Sequence, residues 1–218
     1  MKNIFKISFI KTIIFNFVYF KFSQAIKFPV IISSNFRLKS LHGKVNIPID
    51  SPFGLIKLGF GDVLIFDRKL SKGIWENKGI INFIGRSNIG HGSKISVSKS
   101  GSLTFGQNFN ITAESSIVCY NNISFGNNCL LSWDILIMDT DFHKIYNQDK
   151  SLINPNKAVN VGDNVWICNK VQILKGLSIA NGCIVGSNTV VSKSLKIENA
   201  IYSGNINTPI KENISWEI

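Results

Sequence analysis

Seven successive sixth positions in the C-terminal half of this chain are β-branched aliphatics: Val161, Ile167, Ile173, Ile179, Val185, Val191 and Ile197. The following residue is mostly small (Gly162, Cys168, Ala180, Gly186, Ser192), with Leu174 the exception. Four positions after each aliphatic comes another compact or aliphatic residue: Val165, Val171, Leu177, Cys183, Thr189 and Leu195. An amphipathic helix needs a 3.6-residue spacing and a half-buried strand alternates with period two, so neither accounts for a period of six. A chain that makes a short strand, turns and repeats does account for it. Three hexads then close one triangular coil, and stacked coils bury an aliphatic column while pairing their backbones along the axis. The sequence therefore predicts an all-β fold, a parallel β-helix of hexapeptide repeats.

The same phase appears upstream, with slips. Phe83, Ile89 and Ile95 form one set, Phe105, Ile111, Ile117 and Ile123 a second, and Phe125, Leu131 and Ile137 a third. Asn108, Asn110, Asn122 and Asn128 fall near the expected corners, where Asn accepts left-handed backbone more readily than most residues. Between Ile137 and Val161 the sixth positions are His143, Asp149 and Pro155, which are not core residues. The chain is therefore expected to leave the coil there, and long loops on rigid scaffolds commonly carry chemistry. The expected organisation is an N-terminal apolar and basic helical segment (1–40), irregular opening strands (41–80), the β-helix (81–200) with a loop excursion at 138–160, and a C-terminal tail (201–218).

The N-terminal segment is apolar and aromatic from Ile4 to Phe20 but carries Lys6 and Lys11. Its longest uninterrupted apolar stretch, at 12–20, is far short of the roughly 20 residues that span a bilayer. No small-residue cleavage pattern follows, which argues against a secretory signal. Ile7, Ile10, Ile14 and Phe17 are placed to line one face of a short helix. That helix either caps the β-helix or packs between subunits, or it lies in a membrane interface.

Formal charge is +11, and residues 1–75 carry twelve Lys and Arg against three Asp. Such an excess favours anionic partners. No helix-turn-helix or basic-aromatic RNA pattern points to nucleic acid. Cys119, Cys129, Cys168 and Cys183 include no C-x-x-C pair, and two of them occupy small or compact positions of the repeat, as packed thiols would. A cytoplasmic location, peripheral to the inner face of a membrane, suits the thiols and the charge.

The hexads, the segment Asp139-Thr140-Asp141-Phe142-His143 before the loop, and Val161-Gly162-Asp163-Asn164-Val165-Trp166-Ile167 after it resemble the hexapeptide-repeat acyltransferases. The similarity is nearest to the branch that acetylates sugars and surface polysaccharides. The resemblance covers residues 80–205. It implies a left-handed β-helix, a homotrimer with active sites between subunits, and acetyl-coenzyme A as acyl donor. It also implies that His143 is the general base on the acceptor hydroxyl, a task for which imidazole has a suitable pKa.

Asp141 and Asp139 precede His143 at two-residue steps, so in an extended segment all three share a face and a carboxylate could orient the imidazole. The resemblance further implies coenzyme A along the outside of the last coils, against Ala180, Gly186 and Ser192, with Lys193 near its phosphates. Trp166 is placed to wall that groove and Trp133 to line the acceptor site. Relatives carry a Gly-(Asn/Val)-Pro-Ala turn where this chain has Gly204-Asn205-Ile206-Asn207, a departure at one expected coenzyme contact. N-acetylation of an amino-sugar nucleotide and a non-catalytic binding β-helix are the alternatives. A zinc site is not expected, because the only histidines are His42, His91 and His143, with no closely spaced pair.

Overall fold

The structure, a computed structural model, describes residues 7–204, 206 and 208–217. Its strands fall into three parallel sheets that the chain visits in rotation. Among the described residues, sheet 1 runs in eight strands from Val30–Ile32 to Ile201–Tyr202. Sheet 2 runs in seven from Phe36–Leu41 to Val190–Val191, and sheet 3 in six from Lys44–Asn46 to Ser178–Ile179. Each coil thus contributes one rung to each sheet. The corners are called here the 1–2, 2–3 and 3–1 edges after the sheets they join.

The hexad aliphatics form the columns that the periodicity requires. In sheet 1, Ile89, Ile111, Leu131, Ile167 and Val185 are consecutive partners, and in sheet 2 so are Ile95, Ile117, Ile137, Ile173 and Val191. All are fully buried. Sheet 3 uses aromatics in its upper rungs, where the rings of Phe83, Phe105 and Phe125 stack at 5.0 and 5.8 Å. Burying such columns is the main stabilising term, at about 1.5–3 kcal/mol for each large aliphatic removed from water. The small residue after each column position keeps the corner tight: a Cβ on Gly162 would collide with the Asn181 side chain of the next coil.

At the 3–1 edge Asn108, Asn128 and Asn164 have φ of 56°, 55° and 54°. Their amides form a ladder, Asn108 donating to Asn128 at 3.0 Å and Asn128 to Asn164 at 3.1 Å. Asn110 and Asn122 differ from expectation, since both lie within strands.

Three further features depart from the sequence reading. First, the winding begins at Val30 rather than 81, so residues 30–60 already form coils in register with those below. The insertion at 61–72 hides their phase from a count in sixes. Second, Ile197 is not a column residue. Leu195 takes the rung beside Ile179 and is 1% exposed, whereas Ile197 is 42% exposed on the corner that follows. The last coil has slipped by two residues, and 201–202 form a final sheet 1 strand rather than a tail.

Third, the apolar face of Ile10, Ile14 and Phe17 is not the face that the N-terminal helix buries. Helix α1 (Phe9–Tyr19) buries Thr12, Phe15 and Asn16, while Ile10, Ile14 and Phe17 face outward. A sheet ending at Val30–Ile32 leaves main-chain groups unpaired. Asn16 supplies partners on both sides of Val30, donating to its carbonyl at 2.7 Å and accepting its N–H at 3.2 Å. Thr12 Oγ1 accepts from the N–H of Ile32 at 3.1 Å. Phe15 meets Trp75 edge to face below them. The helix is therefore a largely polar cap on a sheet end, and its other apolar residues, Ile10, Ile13, Ile14 and Phe17 among them, turn outward. A short helix α2 (Phe22–Ala25) follows. Ile4, Phe5 and Lys6 of the apolar run lie outside the described residues, as do Asn205 and Asn207 of the C-terminal turn.

Candidate active site

The loop 139–158 leaves the coil at the 2–3 edge, between Leu136–Met138 of sheet 2 and Val159–Val161 of sheet 3. Its first residue turns inward. Asp139 is fully buried, and its carboxylate accepts the N–H groups of Tyr120 and Asn121, each at 2.7 Å, from the corner of the preceding coil. It is a structural anchor rather than a partner of His143. The extended geometry that would align Asp139, Asp141 and His143 is broken at Phe142, whose φ of 62° is left-handed. A 2.7 Å bond from the His143 N–H to the Asp141 carbonyl tightens that turn.

Asp141 also has other partners than expected. Its Oδ2 accepts from Lys175 Nζ at 2.5 Å and from Asn154 Nδ2 at 2.9 Å. These two bonds, the lysine's first, hold its carboxyl below the usual range. Asn154 is the hub of the loop: its amide nitrogen also donates to the His143 carbonyl at 2.9 Å, and its Oδ1 accepts the Ile145 N–H at 2.6 Å. Lys175 rises from the 2–3 edge of the next coil and also donates to the Asn154 carbonyl at 2.9 Å. The main chain around His143 is thus fixed from several directions, while its imidazole is exposed and has no hydrogen-bond partner among the described residues. A side chain so placed can accept a proton from a group that docks on it.

Sequence reasoning missed Lys175 and Asn154. Lys175 was within reach of the hexad count, since it and Lys193 occupy equivalent corners of successive coils. Asn154 carried no signal, because pairing across an irregular loop follows no period.

The residues expected to hold coenzyme A are divided among different edges. Ser192 and Lys193 are exposed on the 2–3 edge, in line with Lys175 and the loop. Ala180 lies on the 3–1 edge and Gly186 on the 1–2 edge, away from His143 within one chain. Trp166 is in sheet 1, half-buried, donating from its indole to Ser132 Oγ at 3.2 Å. Its outer side meets Trp216 at 5.8 Å, and Trp216 is tied to the Asn164 carbonyl at 2.7 Å. The C-terminal segment, not the loop, covers Trp166. Trp133 sits on the 1–2 edge, with its carbonyl taken by the N–H of Lys170. All four cysteines are unpaired. Among the described residues no three of His, Cys, Asp and Glu cluster as a metal site.

The chain is 28% identical over 138 residues to the putative lipopolysaccharide biosynthesis O-acetyl transferase WbbJ of Escherichia coli K12, a match covering 59% of this chain and 69% of that one. Its fold matches the solved polysialic acid O-acetyltransferase OatWY with a TM-score of 0.53 and 25% identity, over 84% of this chain and 91% of that one. By sequence and by fold the chain is similar to sugar and polysaccharide O-acetyltransferases, a similarity that supports an acyltransferase. It shares their left-handed β-helix, as a TM-score of 0.61 to the polysialic acid acetyltransferase NeuO also shows, at 21% identity over 85% of this chain and 90% of that one. Left-handed winding is an exception to the right-handed rule for parallel crossovers. No family model matches the chain. The names of these relatives refer to lipopolysaccharide biosynthesis and to polysialic acid, and the loop at the 2–3 edge is where this chain presents a histidine.

Proposed function

We propose that the protein transfers an acetyl group from acetyl-coenzyme A to a hydroxyl of a sugar or surface glycan, with His143 as general base. The observation that carries this reading is the imidazole of His143, exposed and without a partner among the described residues on a main chain pinned by Lys175, Asp141 and Asn154. The names of WbbJ, OatWY and NeuO support a glycan acceptor. A sugar hydroxyl is a poor nucleophile near neutral pH, and a neutral imidazole that takes its proton as attack begins lowers that barrier. The donor thioester supplies the activated acyl group. The imidazolium then returns its proton to the departing sulfur.

The 2–3 edge suits the donor: Lys193 and Ser192 stand below the loop on the coil after Lys175, where a phosphate-bearing arm laid along the axis would reach a cation. Trp133, Trp166, Ala180 and Gly186 could join that groove only across a subunit boundary, an arrangement that a homotrimer supplies. The outer face of α1 and α2, with Phe9, Ile10, Phe17 and Phe22 exposed beside Lys21, suits an anionic membrane surface. In this reading the enzyme works peripherally on the cytoplasmic side.

The test is thiol release from acetyl-coenzyme A with a panel of neutral, acidic and amino sugars and their polymers, comparing wild type with His143→Ala. Acceptor-dependent release that falls about a hundredfold or more in a folded, donor-binding variant supports the assignment. Equal activity in the variant sinks the role of His143. Release only with amino sugars moves the reading to N-acetylation, and no donor binding by wild type removes the enzyme reading.

A further inference from the structure

At the 1–2 edge of the first coils, far from the loop, a cavity of about 170 Å³ is lined by Ser33, Asn35, Gly59, Arg68, Lys69 and His91, with Ser34 at its rim. Two of its buried polar groups are unsatisfied. His91 is 2% exposed and neither ring nitrogen has a partner among the described residues; Ser33 is 3% exposed and its Oγ is equally unpaired. Buried imidazoles and hydroxyls ordinarily find partners, because leaving them unmade costs their full desolvation.

Two cations share the cavity. Neither the Arg68 guanidinium nor the Lys69 ammonium has a hydrogen bond or ion pair among the described residues, and no carboxylate lines the space with them. The acids that act on His91 are Asp62 and Glu114, and Glu114 is already engaged by Ser71 Oγ and by Lys94 at 3.6 Å. The cavity is held open by the backbone. Gly59 has a φ of +83°, and a Cβ there would collide with Ser33 Oγ. Asn35 Nδ2 donates to the Arg68 carbonyl at 2.5 Å, which anchors the main chain of one lining residue to another. An adjoining recess, sharing Ser34 and Asn35, is lined by Lys11, Arg37 and Lys72.

We propose that this cavity is an oxyanion site that takes one phosphate or carboxylate group carried by a larger anionic molecule. Water could satisfy Ser33 and His91, but half-buried Arg68 and exposed Lys69 line the same space with no acid among its lining residues, so an oxyanion there meets charges that water does not match. An oxyanion accepts from the hydroxyl, from the imidazole N–H and from both cations, and such charge-assisted bonds are the strong ones. The cavity is smaller than the 300–1,000 Å³ usual for whole ligands, so it fits the anionic group and not the body that bears it. The adjoining lysines and arginine extend the attraction along that body. Burial, then the charge of Arg68, lowers the pKa of His91. The site is independent of the role given to His143.

The experiment is a histidine-selective NMR titration of the full chain with inorganic phosphate and, separately, with glucuronate, at constant ionic strength held with chloride. His42→Gln and His143→Gln assign the three signals. A saturable shift of the His91 signal alone is expected, weakened at least about tenfold by Arg68→Ala or Lys69→Ala. Response to phosphate alone or to glucuronate alone identifies the source of the oxyanion, and either supports the site. No saturable shift with either probe overturns it. So does a shift that both alanine variants retain, which would mark an adventitious ion only.

Discussion

Lys175 Nζ lies 2.5 Å from Asp141 Oδ2 and 2.9 Å from the main-chain oxygen of Asn154, so one ammonium on the neighbouring coil ties both arms of the His143 loop to the scaffold. Lys175→Ala should leave the β-helix intact, because a partly exposed pair contributes at most about 1 kcal/mol. Activity should fall more, by about ten- to a hundredfold in kcat, since small displacements of a catalytic group are costly. Steady-state thiol release with a parallel melting curve separates the two effects.

The same pair sets the acid limit of the loop. Its folded-state pKa being depressed, Asp141 contributes its full stabilisation above the ordinary carboxylate range and loses it only as pH falls through the lower folded value. Proteolytic nicking of the loop should therefore stay slow down to about pH 4 in wild type. Asp141→Asn should be nicked faster at neutral pH and show little further change on acidification.

Asp139→Ala should behave as a folding mutant. It strips the N–H groups of Tyr120 and Asn121 of their buried acceptor, at a cost of about 2–4 kcal/mol. Urea unfolding should show the drop, while specific activity per folded molecule stays near that of wild type. A loss of activity without loss of stability would contradict this assignment.

Ile167→Ala and Ile197→Ala occupy equivalent positions in the sequence repeat and should differ sharply. The first empties a fully buried column site, at about 2–5 kcal/mol. The second removes a side chain that is 42% exposed and should cost under about 1 kcal/mol. Denaturant midpoints of the two variants provide the check.

Cys119 and Cys129 should resist alkylation in the native protein. Burial pushes each thiol up to about 12, so near pH 8 only about one molecule in ten thousand carries the reactive thiolate. Mass spectrometry after iodoacetamide should find Cys168, which is half-buried, modified well before either.

Vesicle flotation tests the outer face of α1. Binding to vesicles rich in anionic lipid that weakens with salt, and that Phe9→Ser with Phe17→Ser reduces about tenfold or more, is the expected result. Equal recovery with neutral vesicles, or none with either kind, would remove the membrane surface from the reading.

The sequence by itself determined the winding. A period of six specifies a strand, a corner and an inward aliphatic without reference to distant residues, and so the columns through Ile167, Ile173 and Ile179 are legible in the sequence. The loop was legible as well, because His143, Asp149 and Pro155 stand where core residues are required. What the repeat could not encode is what lies off the axis. Asp139 turning inward while Asp141 turns to Lys175 depends on one left-handed residue, Phe142, and on a partner in the next coil. The outward turn of Ile10 and Ile14 was decided by the unpaired strand at Val30, which drew Thr12 and Asn16 inward against their polarity. Local spacing reports burial only where each residue answers to its own repeat. Where a main-chain donor elsewhere must be satisfied, tertiary structure decides which face a helix buries and which partner a carboxylate meets.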